Sequence, residues 1–201
     1  MKEEQDYIQD IAEIRSMMER SSKFLSLSGW AGILAGVYAL IGAAIAYSVF
    51  EFHPNEVTYS YTNLSTIILV ATGVLVFAIG SALLDSRRKA QKQDKKAWNA
   101  TSRRLLVSMA IPLLAGGVLI LLFISKGLLG LIAPFTLLFY GLALYNAGFY
   151  TIKEVRIMGL VQMILGLLNV AFISYGLLFW VTGFGAVHIV YGIYMYFKYE
   201  R

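Results

Sequence analysis

The chain is predicted to be an all-α, polytopic membrane protein, with six transmembrane helices and an N-terminal amphipathic helix on the cytoplasmic side. Three observations predict this. The hydrophobic fraction is 58% and the charged fraction 14%, against about 45–50% apolar and about 25% charged in a soluble domain. Six apolar runs of membrane length fill most of the sequence, and none has Asp, Glu, Lys or Arg in its interior. One strongly basic stretch, 85–104, separates the second run from the third.

Residues 1–24 read as the amphipathic helix and 25–201 as the transmembrane domain. In the first segment Tyr7, Ile11, Ile14 and Met18 recur at the spacing of one helical face, opposite Asp6, Gln9, Asp10, Glu13 and Arg20. The segment carries six acidic against four basic side chains. Interfacial helices usually present a basic face to anionic lipid, so this one is expected to pack on protein. The stripe of Tyr7, Ile11, Ile14 and Met18 is the expected partner surface, for the basic loop of the same chain, a cytoplasmic protein or a second copy.

The spans are expected at 25–50, 63–84, 105–124, 128–150, 157–173 and 177–197. Each is near the roughly 20 residues that cross about 30 Å of hydrocarbon. Asn63 reads as an N-cap, and Pro112 and Pro134 are expected to kink the third and fourth spans. Small residues mark the packing faces, because close backbone approach drives helix association in lipid. They are Gly29, Gly32, Gly36, Ala39 and Ala43 in the first span, and Thr66, Gly73 and Gly80 in the second. The fourth has Pro134, Gly141 and Gly148, the fifth Gly159 and Gly166, and the sixth Gly185 and Gly192.

Orientation follows from the cations. Of the 17 lysines and arginines only Lys126 falls on one side. Such a bias places both termini and the loop 85–104 in the cytoplasm. That loop holds Arg87, Arg88, Lys89, Lys92, Lys95, Lys96, Arg103 and Arg104 against Asp85 and Asp94. It resembles a nucleic-acid patch, yet no reading module accompanies it. Anionic lipid and the acidic N-terminal segment are its expected contacts, at about 1 kcal/mol per basic residue near a lipid surface. The lipid bilayer is therefore the expected partner, and nucleic acid is not.

The polar groups inside the spans are few. Gln162 and Asn169 share a face of the fifth span, and His188 and Tyr191 lie one turn apart in the sixth. Depth counted from the membrane edges brings Asn169 level with His188, so these two are expected to pair across the hairpin. The four residues define a candidate intramembrane polar pocket, read either as interhelical glue or as a small-solute or proton-sensitive site. No catalytic residue, metal or cofactor is expected. Cysteine is absent, there is no HExxH, and His53, the second of two histidines, lies in a connection.

The run from Ile11 to Gly29, Ile-Ala-Glu-Ile-Arg-Ser-Met-Met-Glu-Arg-Ser-Ser-Lys-Phe-Leu-Ser-Leu-Ser-Gly, resembles the opening of a family of small, uncharacterised bacterial six-span integral membrane proteins. With the glycine stripe that follows, the resemblance covers about a fifth of the chain. It implies a bacterial inner-membrane protein without family catalytic residues. Members are encoded near winged-helix transcriptional regulators, which implies a membrane sensor or regulatory partner. The expected function is therefore non-enzymatic and interaction-based, the alternative being a small-solute carrier or channel with its pocket near Asn169 and His188.

Overall fold

The computed structural model describes residues 11, 29–58, 63–92, 100–199 and 201. Among these the fold is all-helical. We number the helices α1 (Gly29–Ser48), α2 (Leu64–Lys92), α3 (Ala100–Ser125), α4 (Ile132–Ala147) and α5 (Lys153–Ala171). After a 3₁₀ turn at Ile173–Tyr175 come α6 (Gly176–Trp180), a π-helical segment at Val181–Val187, and α7 (His188–Tyr199). The elements from Ile173 to Tyr199 form one composite helix, and six helices in all are long and apolar enough to cross a membrane.

Helix ends differ from the expected spans where charge, rather than backbone chemistry, set the expectation. α2 continues from residue 84 to Lys92 and α3 starts at Ala100, so both ends of the basic stretch are helical. α5 begins at Lys153, four residues before the expected edge. Lysine, arginine and glutamate end a hydropathy run but are good helix formers. Glu154 in the first turn of α5 also complements the helix dipole. Asn63 stands at the N-terminal boundary of α2, where its carbonyl accepts from Thr66 N–H at 3.0 Å. Pro134 sits in the first turn of α4, where no intrahelical N–H bond is lost, so it begins the helix instead of kinking it. α3 runs on through Pro112.

The packing is a row of neighbours. α2 lies on α1, α1 on α7 and the π segment, the composite helix on α4 and α5, α4 on α5, and α3 on α4. Glycine brings two of these pairs to backbone contact. A Cβ on Gly192 of α7 would stand 2.5 Å from the Gly29 carbonyl and 2.6 Å from Ile33 N of α1. A Cβ on Gly159 of α5 would stand 2.7 Å from the Gly141 carbonyl of α4. The stripes expected on the first, fourth, fifth and sixth spans therefore do meet a partner helix.

The stripe on α2 does not. Gly73 and Gly80 meet nothing within 4 Å, and α2 instead touches α1 through Val70 and Val74 at Gly42 and through Phe77 on Tyr38. Side-chain size explains the difference. Two valines and a phenylalanine offer more contact to α1 than a glycine face can.

At the end of the bundle that holds Lys153 and Lys198, Leu105, Leu144, Ala147, Ile152, Val155, Met158 and Met195 form one apolar cluster. At the opposite end the connection after α1 crosses over the bundle. Gly130 N–H donates to the Val57 carbonyl at 3.2 Å, and Ser174 Oγ donates to the Asn55 carbonyl at 3.1 Å. Gly130 is required there, since a side chain would collide with the Glu56 carbonyl.

Candidate functional site

The interruption of the sixth helix builds the site. The segment Val-Thr-Gly-Phe-Gly-Ala-Val at Val181–Val187 is wound as a π-helix. Such segments are rare and often mark functional positions. Two glycines and two β-branched valines weaken the local α preference. The Gly183 carbonyl is then drawn into two side-chain hydrogen bonds, from Gln162 Nε2 of α5 at 2.8 Å and from His188 Nδ1 at 2.9 Å.

Those bonds fix the chemistry of His188. A carbonyl only accepts, so Nδ1 carries the proton and Nε2 of the neutral ring is an acceptor. Tyr140 of α4 fills that role by donating its hydroxyl to Nε2 at 2.8 Å. The imidazole is stacked with Tyr140 (centroids 5.4 Å) and with Phe184 (5.8 Å). Four residues from three segments are thereby joined: Gln162, Gly183, His188 and Tyr140.

Gln162 and Asn169 are both 0% exposed. Asn169 does not meet His188 in this network. Its Nδ2 donates to the Gly176 carbonyl at 3.3 Å, and Gln162 is the α5 residue that shares an acceptor with His188. The turn at Ile173–Tyr175 sets this register. The pairs Asn169–Gly176 and Gln162–Gly183 are both centred between Phe172 and Ile173, at the start of that turn, whereas His188 lies far along the second arm. Counting from membrane edges ignores that constraint.

Each amide keeps one buried oxygen, Gln162 Oε1 and Asn169 Oδ1, without a protein hydrogen-bond partner, and the buried Tyr191 hydroxyl is likewise unpartnered. The four sequence-predicted pocket residues thus all lie at the α5–composite helix interface or beside it. Sequence reasoning missed Tyr140, Gly183 and Glu154. Glu154 had a detectable signal, being one of only two acidic residues after Asp94. Tyr140 sits in an aromatic-rich helix with no spacing to distinguish it.

Glu154 is 7% exposed. Its Oε1 accepts from Lys198 Nζ and from Tyr199 Oη at 3.2 Å. Lys198 also bonds the Tyr194 hydroxyl at 2.9 Å. At the opposite end a groove of about 670 Å³ lies between α1 and α6, with His53, Asn55, Ser174 and Tyr175 near its mouth and Leu40, Leu178 and Val181 along its length.

The remaining predicted surfaces are partly outside the described residues. Tyr7, Ile14 and Met18 of the partner stripe and Lys95 and Lys96 of the basic patch lie there. Ile11 is 65% exposed. Arg87, Arg88, Lys89 and Lys92 lie on the last turns of α2, and Arg103 and Arg104 are exposed on α3. Among the described residues no group of three or more His, Cys, Asp or Glu side chains is placed to hold a metal ion.

The fold and the site define a bundle of six apolar, span-length helices with a polar knot at a π-helical interruption. Comparison with protein-family models, curated proteins and solved structures returns no match to this chain.

Proposed function

We propose that the chain is a non-enzymatic protein of the bacterial inner membrane, with both termini and the 85–104 stretch in the cytoplasm, that acts by contact with another protein. Insertion is supported by the large apolar side chains on the outside of the bundle, among them Leu69 at 71%, Ile111 at 70% and Leu121 at 67% exposed. Soluble proteins rarely expose such continuous apolar surface. Orientation is supported by the distribution of the 17 cations.

The observation that carries the interaction reading is Ile11. It is 65% exposed on the apolar stripe of a net-acidic segment, a combination suited to a protein partner rather than to anionic lipid. The resemblance to proteins encoded beside transcriptional regulators supports a sensor or regulatory role. The test compares proteins cross-linked to the intact tagged chain in membranes with those cross-linked to Ile11→Glu/Ile14→Glu. Loss of a specific product in the variant supports the reading, and identical products from both overturn it.

A second reading, a small-solute carrier or channel, is favoured by the unpartnered oxygens of Gln162 and Asn169 beside His188 and Tyr191. Buried polar atoms in native proteins are generally paired, and a solute or water is the remaining source of partners.

A further inference from the structure

We propose that the groove between α1 and α6 binds one acyl chain of a phospholipid from the bilayer leaflet at that end, with an amine-bearing rather than an anionic headgroup at its mouth. This assignment rests on the reading that these helices cross a membrane, and it is independent of the interaction reading.

The groove is a fork in the packing of α1 on the composite helix. Below it the two helices meet through backbone, with Gly32 and Gly36 of α1 against Gly192 and Gly185. One turn further, a Cβ on Gly185 would stand 2.6 Å from Leu40 Cδ2. Beyond Leu40 the composite helix offers Val181, Leu178 and Leu177 in place of glycine, and close backbone approach ends there. The space left is about 670 Å³, within the range of about 300–1,000 Å³ typical of ligand sites.

Its lining is chemically divided. Leu40, Ala44, Leu178 and Val181 line the deep part, and Tyr47, His53, Asn55 and Tyr175 the mouth. Leu178 is 61% and Tyr175 60% exposed, so the groove opens to the outside of the bundle. Along α1 the lining runs from Leu40 to Ser48, about 12 Å at 1.5 Å per residue. One leaflet of hydrocarbon is about 15 Å, half of a core of about 30 Å. Groove and leaflet therefore match in length, and Tyr47 and Tyr175 stand where interfacial aromatic residues belong. The mouth is also held in place. His53 Nδ1 bonds the Glu51 carbonyl at 2.8 Å, its ring lies edge-on to Tyr47 at 4.3 Å, and Ser174 Oγ bonds the Asn55 carbonyl.

Three fillers compete for this space. A void would forfeit dispersion contacts along both walls. Water needs two to four polar partners, which the aliphatic side chains of the deep part do not supply. A hydrocarbon chain fills the groove and strands no polar group.

Charge selects the headgroup. No lysine or arginine lines the groove, and Glu51 and Glu56 are the charged residues of the segment that carries His53 and Asn55. A headgroup with net negative charge meets no cation among these residues. An ammonium on the same phosphate is attracted by the carboxylates and by tyrosine rings.

The test reconstitutes the intact chain at pH 8 in vesicles carrying a trace of photoreactive phospholipid, with a diazirine at mid-chain. Phosphatidylethanolamine and phosphatidylglycerol forms are used in parallel, and labelled residues are mapped by mass spectrometry. Labelling at Leu178 and Val181 should exceed that at Leu69 and Leu121, which are 71% and 67% exposed, at least threefold. The excess should come from the ethanolamine lipid. Ala44→Trp, which plugs the groove from an exposed position, should remove the excess and leave Leu69 and Leu121 labelled as before.

Groove labelling no greater than that of Leu69 and Leu121 overturns the site and leaves the membrane reading standing, as does an excess that survives Ala44→Trp. Absence of labelling at all four positions overturns both. Equal excess from the two lipids overturns the headgroup assignment.

Discussion

Tyr140 and His188 are 48 positions apart in sequence, and the tyrosine hydroxyl donates to the imidazole Nε2 at 2.8 Å. The bond ties α4 to the point where the sixth helix returns from π to α winding. Tyr140→Phe would keep the ring contacts with Phe184 and His188 but strand the Nε2 lone pair. An unmatched buried acceptor costs about 1–3 kcal/mol, while interhelical bonds in membranes average about 0.6 kcal/mol. We expect a loss of about 1 kcal/mol, read by denaturant unfolding in micelles. His188→Ala should then add less in the Tyr140→Phe background than in the unaltered chain, and strict additivity would contradict the coupling.

Gln162 presents the opposite case. Gln162→Leu removes one of two donors to Gly183, and His188 Nδ1 still satisfies that carbonyl. It also removes the unpartnered Oε1. Stability should change by less than about 1 kcal/mol. If the solute reading is correct, uptake into vesicles should fall in this variant although its unfolding midpoint holds. A large loss of stability would instead assign Gln162 a packing role.

The topology prediction is independent of the polar core. Alkaline phosphatase fused after Lys126 should be active, and fusions after Lys92 and Arg201 inactive, because active enzyme requires export. Opposite sides for Lys92 and Arg201 would overturn the orientation.

How much of this was legible in the sequence depends on the range of the interaction. The six helices were readable because apolar run length is a local property, and so was the use of the stripes holding Gly29 and Gly192 as contact faces, which follows from three- and four-residue spacing, although their meeting each other was not. The stripe Thr66, Gly73, Gly80 has comparable regularity, yet Gly73 and Gly80 meet nothing within 4 Å. Spacing reports that a face is smooth, and it does not report which neighbour arrives. Gln162, Asn169, His188 and Tyr191 stood out as polar groups in apolar runs. Tyr140 was hidden because tyrosine is common in these helices, and the Gly183 carbonyl because π winding depends on the whole interface.

The glycines yield a contrast at two faces. At Gly192 a methyl group would strike backbone at 2.5 Å and 2.6 Å, where nothing flexible can move aside. Gly192→Ala should therefore separate α7 from α1 and cost about 1–3 kcal/mol, the usual penalty of overpacking. At Gly73 a methyl group meets open space, and alanine stabilises a helix interior by roughly 0.5–1 kcal/mol over glycine. Gly73→Ala should leave stability unchanged or raise it. The two thermal midpoints in detergent, moving in opposite directions, would check both.

Glu154 and Lys198 share an ion pair with unequal exposure, 7% for the carboxylate and 37% for the lysine side chain. Removing the lysine leaves a buried charge with Tyr199 as its remaining side-chain donor, whereas removing both charges leaves none to strand. Lys198→Met should therefore destabilise the bundle, and Glu154→Gln/Lys198→Met should recover most of the loss. The Lys198→Met defect should also shrink as pH falls, since protonation of the carboxylate removes the stranded charge and the double variant has no such group. Unfolding midpoints of the three proteins at pH 5 and pH 8 check the order. A Lys198→Met protein as stable as the unaltered chain at both values would show that water already screens this carboxylate.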